Sequence, residues 1–308
     1  TQVTEKTGSR LEMARWLVGP DNPLTARVLV NRLWSELFGT GIVRTLEDFG
    51  TSGEPPSNPE LLDHLALRVR DHHHWSIKAM LREMVLSSTY RQSHKASAEL
   101  VARDPANRLL ARGPRVRLSA EMVRDQALAA AGLLSAKMSG PPVYPPQPAG
   151  VWSSVYSGAS WNESKGEDRY RRGIYTYCKR TSGFPGFLTF DAPSRDLCSA
   201  RRIASNTPLQ ALVTMNDPAH IEAAQGLAKR METHTADPRG QLAFGVLLAT
   251  QQEASPAMLD ELAALLSDAR ADYEKTPAES AKLGPNPESA ARVLVANTIL
   301  NLDSALNR

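Results

Sequence analysis

At Asn22-Pro23, Asn58-Pro59, Thr207-Pro208, Asp217-Pro218 and Ser255-Pro256 a side chain able to cap a helix stands directly before a proline. An Asn, Ser, Thr or Asp oxygen at that place accepts from one of the backbone N–H groups that the first helical turn leaves unpaired. Proline in the first helical position gives up an N–H that had no partner there, and its fixed φ already suits a helix. A further start, Ser9-Arg10-Leu11-Glu12, has the spacing of a reciprocal capping box, ahead of Met13, Ala14, Trp16 and Leu17. Punctuation of this kind constrains the chain to fold mainly as α-helices.

The apolar spacing agrees. After Pro23, the residues Val30, Leu33, Trp34, Leu37 and Phe38 recur at helical intervals and Gly39 is a natural stop. Leu62, Leu65, Ala66 and Val69 form a second stripe. Ser76 caps a third, with Ile77, Met80, Leu81, Met84 and Val85. Ser119 caps a long helix through Met122, Val123, Leu128 and Ala131 toward Gly140, and Pro141, Pro142, Pro145, Pro146 and Pro148 forbid its continuation. Helices are expected to resume at Pro208, Pro218, Arg239, Pro256 and about Ser289, with a loop from Gly284 to Pro287. The stretch 143–200 is irregular, with room for a short β-hairpin built on strands at Gly173–Tyr177 and Phe187–Phe190. The predicted fold is mainly α: a multi-helix bundle with a long irregular aromatic-rich insertion. Its parts are an N-terminal helical part, 1–142, the insertion, 143–200, and a C-terminal helical part, 201–308, read as one continuous domain. A long irregular excursion in a helical domain is more often functional than decorative.

A length of 308 residues with 42% hydrophobic side chains suffices for a sizeable core. No stretch reaches the roughly 18 apolar residues a membrane-spanning helix needs, so no transmembrane segment is expected. The chain begins at Thr1 with neither an initiator Met nor a secretory signal, and reads as a piece of a longer protein. A net charge of +3 gives a nucleic-acid partner no general support, and none is expected. Arginines nevertheless crowd the middle, from Arg103 to Arg124 and from Arg169 to Arg202, either as solvated and paired side chains or as an anion-binding face.

Familiar catalytic signatures are missing. There is no Gly-x-Ser-x-Gly elbow, no phosphate-cradling loop and no dinucleotide fingerprint. Without Cys-x-x-Cys-His the chain does not itself attach a c-type haem, and no cofactor is expected in it. His72, His73 and His74 cannot all face one ion from regular backbone. They read as an exposed loop before a capped helix, and no metal site is expected. The two cysteines, Cys178 and Cys198, are compatible with one disulfide or with two free, partly buried thiols. Glu121 and Asp125 stand four apart on one helix and share a face. That pairing suits acid–base work or a divalent ion, or a charged face bridged to Arg117 and Arg124.

The insertion is the densest region. Tyr144, Trp152, Tyr156, Trp161, Tyr170, Tyr175, Tyr177, Phe184, Phe187 and Phe190 are ten of the chain's aromatics, which number 5 Trp, 7 Tyr and 6 Phe. Rings interleaved with Asn162, Glu163, Arg171, Arg172 and Arg180 suit a flat amphipathic ligand such as a sugar, or a protein partner. The binding candidates are Trp152, Tyr156, Trp161, Tyr175, Tyr177 and Arg180. The plain alternative is that a loop without regular structure needs large side chains to anchor it on the helices.

Several longer strings carry a family resemblance. They are Asn22 to Trp34 with Phe38-Gly39 and Asp48-Phe49-Gly50; Trp75 to Lys78 with Ser88 to Ser93; and Asp104 to Leu110 ahead of Arg117 to Asp125. Phe190 to Pro193, Cys198, Arg201-Arg202, Asn206 to Leu212, Met215 to Pro218 and Leu300 to Asp303 complete the set. Together they resemble domain of unknown function 1553, found toward the C-terminus of large planctomycete proteins, commonly beside a second uncharacterised domain and a cytochrome-c-type haem module. The resemblance implies that upstream domains of the same polypeptide are partners. It implies that any c-type haem lies elsewhere in the parent, and that the parent resides in the cell envelope or periplasm. The family does not place Cys at position 178, which argues against a disulfide. It passes on no activity. The expected role is thus an accessory or binding module, for a glycan or a partner domain. The alternative is an envelope oxidoreductase or carbohydrate-active enzyme using a polar cluster drawn from Arg32, Glu121, Asp125, Asp191, Arg201, Arg202 and Gln210. A third reading makes such residues buried scaffold pairs.

Overall fold

Ser9 accepts from the amide of Glu12 and the Glu12 carboxylate accepts from the amide of Ser9, so the expected capping box opens α1 (Arg10–Leu17). The computed structural model in which this is seen describes residues 8–150 and 160–307. Its chain falls into two compact units, Thr1–Val116 and Arg117–Arg308.

In the first unit, Asn22 does not take the cap position expected of it, which falls to Leu24 without a side-chain bond. The Asn22 Oδ1 accepts from the amides of Leu24 and Thr25, so α2 (Thr25–Phe38) starts two residues beyond Pro23. Gly39 ends α2 in the left-handed region, at φ 77°, where glycine carries no Cβ penalty. Asn58 caps α3 (Pro59–Leu67), which runs into a wider π-type turn at Arg68–His72. Ser76 caps α4 (Ile77–Leu86), and α5 (Ala98–Arg103) follows. The predicted stripes meet in one core of Val30, Trp34, Leu62, Leu65, Val69, Met80 and Met84. Each such side chain contributes about 1.5–3 kcal/mol by leaving water. Asn31, fully buried, donates to the Val43 carbonyl and accepts from the Val43 amide, both at 2.9 Å, which staples the loop after α2 to its inner face. The histidine run differs from the loop expected. His72 and His74 are exposed, but His73 turns inward to bring Nε2 within 2.6 Å of Glu83, which Arg68 also grips.

The second unit opens with α6 (Ala120–Ala131), shorter than the spacing suggested: Gly132, at φ 72°, stops it well before Gly140. Then come α7 (Pro185–Thr189), α8 (Pro208–Asn216), α9 (Pro218–His234), α10 (Pro238–Thr250), α11 (Pro256–Lys275), α12 (Pro277–Leu283), α13 (Pro287–Leu300) and α14 (Asp303–Leu306). All but the last have proline in their first turn. Asp217 and Ser255 cap as predicted. Asp237 and Asn286 cap two starts placed slightly later from sequence, and α12 was not foreseen. The core lies among α6, α9, α10, α11 and α13. It mixes Leu227, Met231, Leu242, Val246, Val295 and Ile299 with Ala223, Ala224, Ala290, Ala291 and Ala296, and the small residues let the rods approach closely.

The fold is mainly α, with almost no strand among the described residues. The two strands allowed for in the insertion are not there. Gly173–Tyr175 is a 3-10 turn, and Phe187–Phe190 belongs to α7 and its end. Pro185 starts that helix, and its turn carries Phe187 and Phe190 together onto Ala120 and Val123, a burial that alternating strand faces could not supply. Pairing in this region reduces to single bridges, such as Val143 with Thr176. No helix is long and apolar enough to cross a membrane among the described residues.

Candidate functional site

Irregular backbone has polar groups that no helix satisfies, and here arginines satisfy them. Arg124, on α6 and only 4% exposed, donates to the carbonyls of Arg171 at 2.7 Å and Arg169 at 2.9 Å. Burial pulls its pKa down to about 10, opposed by the charges of Asp125, Asp217 and Glu222, so it keeps its proton at neutral pH. Arg171, fully buried, donates to the carbonyls of Pro141 and Ser139 and lies 3.8 Å over the Tyr175 ring. The Tyr175 hydroxyl accepts from the Ser139 amide at 2.8 Å. Arg169 grips Glu222 on α9 and Glu163; hydrogen bonds from both raise its pKa against the pull of burial. Asp125 accepts from the Gly173 amide at 2.6 Å, and burial raises its pKa despite that bond.

On this anchored segment the rings form a chain. Tyr177 lies 5.0 Å from Tyr144, Tyr144 5.1 Å edge-on to Trp161, Trp161 5.7 Å stacked on Phe184, and Phe184 5.1 Å edge-on to Phe187. Phe184, Phe187 and Tyr177 wall a cleft of about 220 Å³, completed by the 3-10 turn at Gly173, the loop from Cys178 to Gly183 and the segment from Ala192 to Arg195. Glu121 forms part of its floor. Gly173 is needed there, because a Cβ would sit 3.0 Å from the Glu121 Cβ and 3.1 Å from the Phe187 ring. Both Glu121 oxygens are held by Arg202, at 2.6 and 3.1 Å. Burial pushes the Glu121 pKa up, but the Arg202 hydrogen bonds, its own amide and the charges of Arg202 and Arg195 outweigh this and leave it lowered.

The sequence candidates divide accordingly. Glu121, Tyr177 and Arg180 line the cleft, and Arg202 reaches it through Glu121. Asp125 stands behind its wall, holding Gly173. Trp161 backs the ring wall, its Nε1 donating to the Pro145 carbonyl at 2.7 Å, and Tyr175 anchors the segment beneath Arg171. Asp191 and Gln210 form a separate cluster. Asp191, at φ 60°, accepts from the amide and hydroxyl of Ser205, and buried Gln210 donates to the Thr189 carbonyl at 3.0 Å. Arg201 is exposed and is not among the cleft's walls. Arg32 is exposed on α2 of the first unit, at an apolar hollow with Trp16, Leu17, Val28 and Leu29. Trp152 and Tyr156 lie outside the described residues. Cys178 and Cys198 are free and exposed, not partly buried. Among the described residues no group of three or more His, Cys, Asp or Glu is placed to hold a metal ion.

Sequence reasoning passed over Gly173 and Arg195. A lone Gly after Arg171-Arg172 carries no motif, and Arg195 was one of many arginines. It also gave no sign that His220 would be buried on α9, where burial and the nearby Arg124 charge lower its pKa to about 4.

A family model described as PSD1, protein of unknown function (DUF1553), matches residues 9–266. The terminal string Leu300 to Asp303 lies beyond the matched stretch. No curated protein and no solved structure matches the chain.

Proposed function

We propose that this chain, which belongs to the PSD1 family of proteins of unknown function, is a binding module whose cleft holds one ring of a small polar ligand, a glycan in the first place. The observation that carries the reading is the cleft's make-up: Phe184, Phe187 and Tyr177 line the same space of about 220 Å³ as hydroxyl and guanidinium side chains. Apolar ring faces beside convergent polar groups are what sugar recognition requires. A neighbouring domain of the parent polypeptide is the other occupant such a surface suits, and the resemblance supports a haem-bearing envelope protein as that parent.

The catalytic alternative has less in its favour. A general acid or base must be free to move a proton. Glu121 has both oxygens engaged by Arg202, and Asp125 spends its Oδ1 on Gly173. Paired-carboxylate glycoside hydrolysis needs two carboxyls facing one bond; among the described residues Glu121 is the cleft's only carboxylate. The reading is tested by titrating a panel of neutral and charged oligosaccharides, with Phe187→Ala in parallel. Binding that Phe187→Ala weakens about fivefold or more is expected, since a stacked ring contributes about 1 kcal/mol or more. A panel without a binder, or a binder indifferent to Phe187, would remove the cleft as the site.

A further inference from the structure

The cleft's charges do not cancel. Glu121, the only carboxylate on its walls among the described residues, is already neutralised by the bidentate grip of Arg202. Two more guanidinium groups, Arg180 and Arg195, line the same cleft, and both are exposed. Neither forms a salt bridge among the described residues, although the Arg195 charge also acts on Glu121, whereas Arg169 and Arg202 each grip a carboxylate. Arg195 is set on a left-handed backbone position, φ 69°, which the loop holds at a cost for a side chain of this size. The cleft therefore has a net charge of +2 from Arg180 and Arg195, beside an aromatic wall. A neutral sugar would leave both guanidinium groups idle.

Resting on the binding role proposed above, we infer that the ligand is an anionic saccharide. Its sugar ring packs on Phe187 and Tyr177, the partly exposed rings of the cleft, and a carboxylate or sulfate ester on it is taken by Arg180 and Arg195. Guanidinium groups match both anions through paired N–H donors. The Glu121–Arg202 pair rejects the opposite charge pattern, because a cationic sugar would meet three arginines and a carboxylate already spent.

The test uses three tetrasaccharides on the whole chain: galacturonate, sulfated galactose and neutral galactose, each titrated calorimetrically at low and high salt. At least one anionic oligomer should bind at least about tenfold more tightly than the neutral one, with affinity falling as salt rises. The carboxylate and sulfate arms tell which anion the cleft prefers. The double variant Arg180→Gln, Arg195→Gln, whose side chains are exposed and whose fold is checked by circular dichroism, should lose that preference and keep the weak neutral affinity. Equal binding of all three oligomers would overturn the inference while leaving the glycan-binding role standing. So would a double variant with an intact anionic preference. Binding of none would overturn both.

Discussion

The guanidinium of Arg124 ends 2.7 Å from the carbonyl oxygen of Arg171, so one buried arginine holds the backbone that carries another. Arg171 in turn ties the loop of residues 137–141 and covers Tyr175. The cleft thus stands on a chain of guanidinium-to-carbonyl bonds running out from α6. Replacing Arg124 by Met removes two charge-assisted bonds and leaves two carbonyls without donors, at about 1–3 kcal/mol for each. Arg124→Met should therefore lose about 3 kcal/mol in denaturant unfolding. Arg124→Lys, which keeps the charge but not the fork, should fall between. A Met variant that unfolds at the parent's midpoint would show that the carbonyls find other donors.

How far this was readable in advance depends on the range of the interaction. Caps and proline starts are local, so α1, α3, α4, α9 and α11 begin where Ser9, Asn58, Ser76, Asp217 and Ser255 place them. Where a second local rule intervened, the expectation fails: Gly132 ends α6 early, and Asn22 holds the turn before α2 while Leu24 takes its cap position. The strands imagined at Phe187–Phe190 failed because ring density there serves a helix that packs on Ala120 and Val123. The candidate site was legible only in part. Density of rings and arginines pointed to the segment that lines the cleft, but it could not separate Arg171, which is buried scaffold, from Arg180, which lines the cleft. That separation arises from bonds spanning about thirty to fifty residues, such as Arg124 to Arg171, which no spacing rule encodes.

Gly173 is the tightest point of the cleft floor. A methyl there would press on the Glu121 Cβ at 3.0 Å and its Cα at 3.1 Å, with the Phe187 ring on the other side. Two of those three atoms sit on or next to the α6 backbone, so they yield little. Gly173→Ala should cost about 1–3 kcal/mol, as overpacking does. Because the displaced groups are the cleft's own, it should also weaken whatever binds there. Thermal unfolding and ligand titration of the same variant check both halves. If Gly173→Ala melts with the parent and binds with it, the floor is more compliant than its packing implies.

His220 makes the fold of the second unit sensitive to acid. It is buried on α9 against the Arg124 charge, and both burial and that charge lower its pKa from 6.5 to about 4. A histidine lowered in this way is protonated more readily in the unfolded chain, so the unfolded state binds the extra proton first and stability falls as pH falls through the window from 6.5 to 4. Between pH 7 and pH 5 this linkage amounts to about 2 kcal/mol. Asp125 and Asp217, which burial raises, act in the opposite direction: the folded state takes up their protons first, so they gain stability as pH falls. The parent curve is the sum of these, and a single variant isolates the histidine. His220→Gln keeps a polar side chain and cannot titrate. Its unfolding free energy, measured at several pH values, should change by about 2 kcal/mol less than the parent's between pH 7 and pH 5, whatever its absolute stability. Parallel curves for parent and variant would mean that His220 is charged, or solvated, in the folded protein after all.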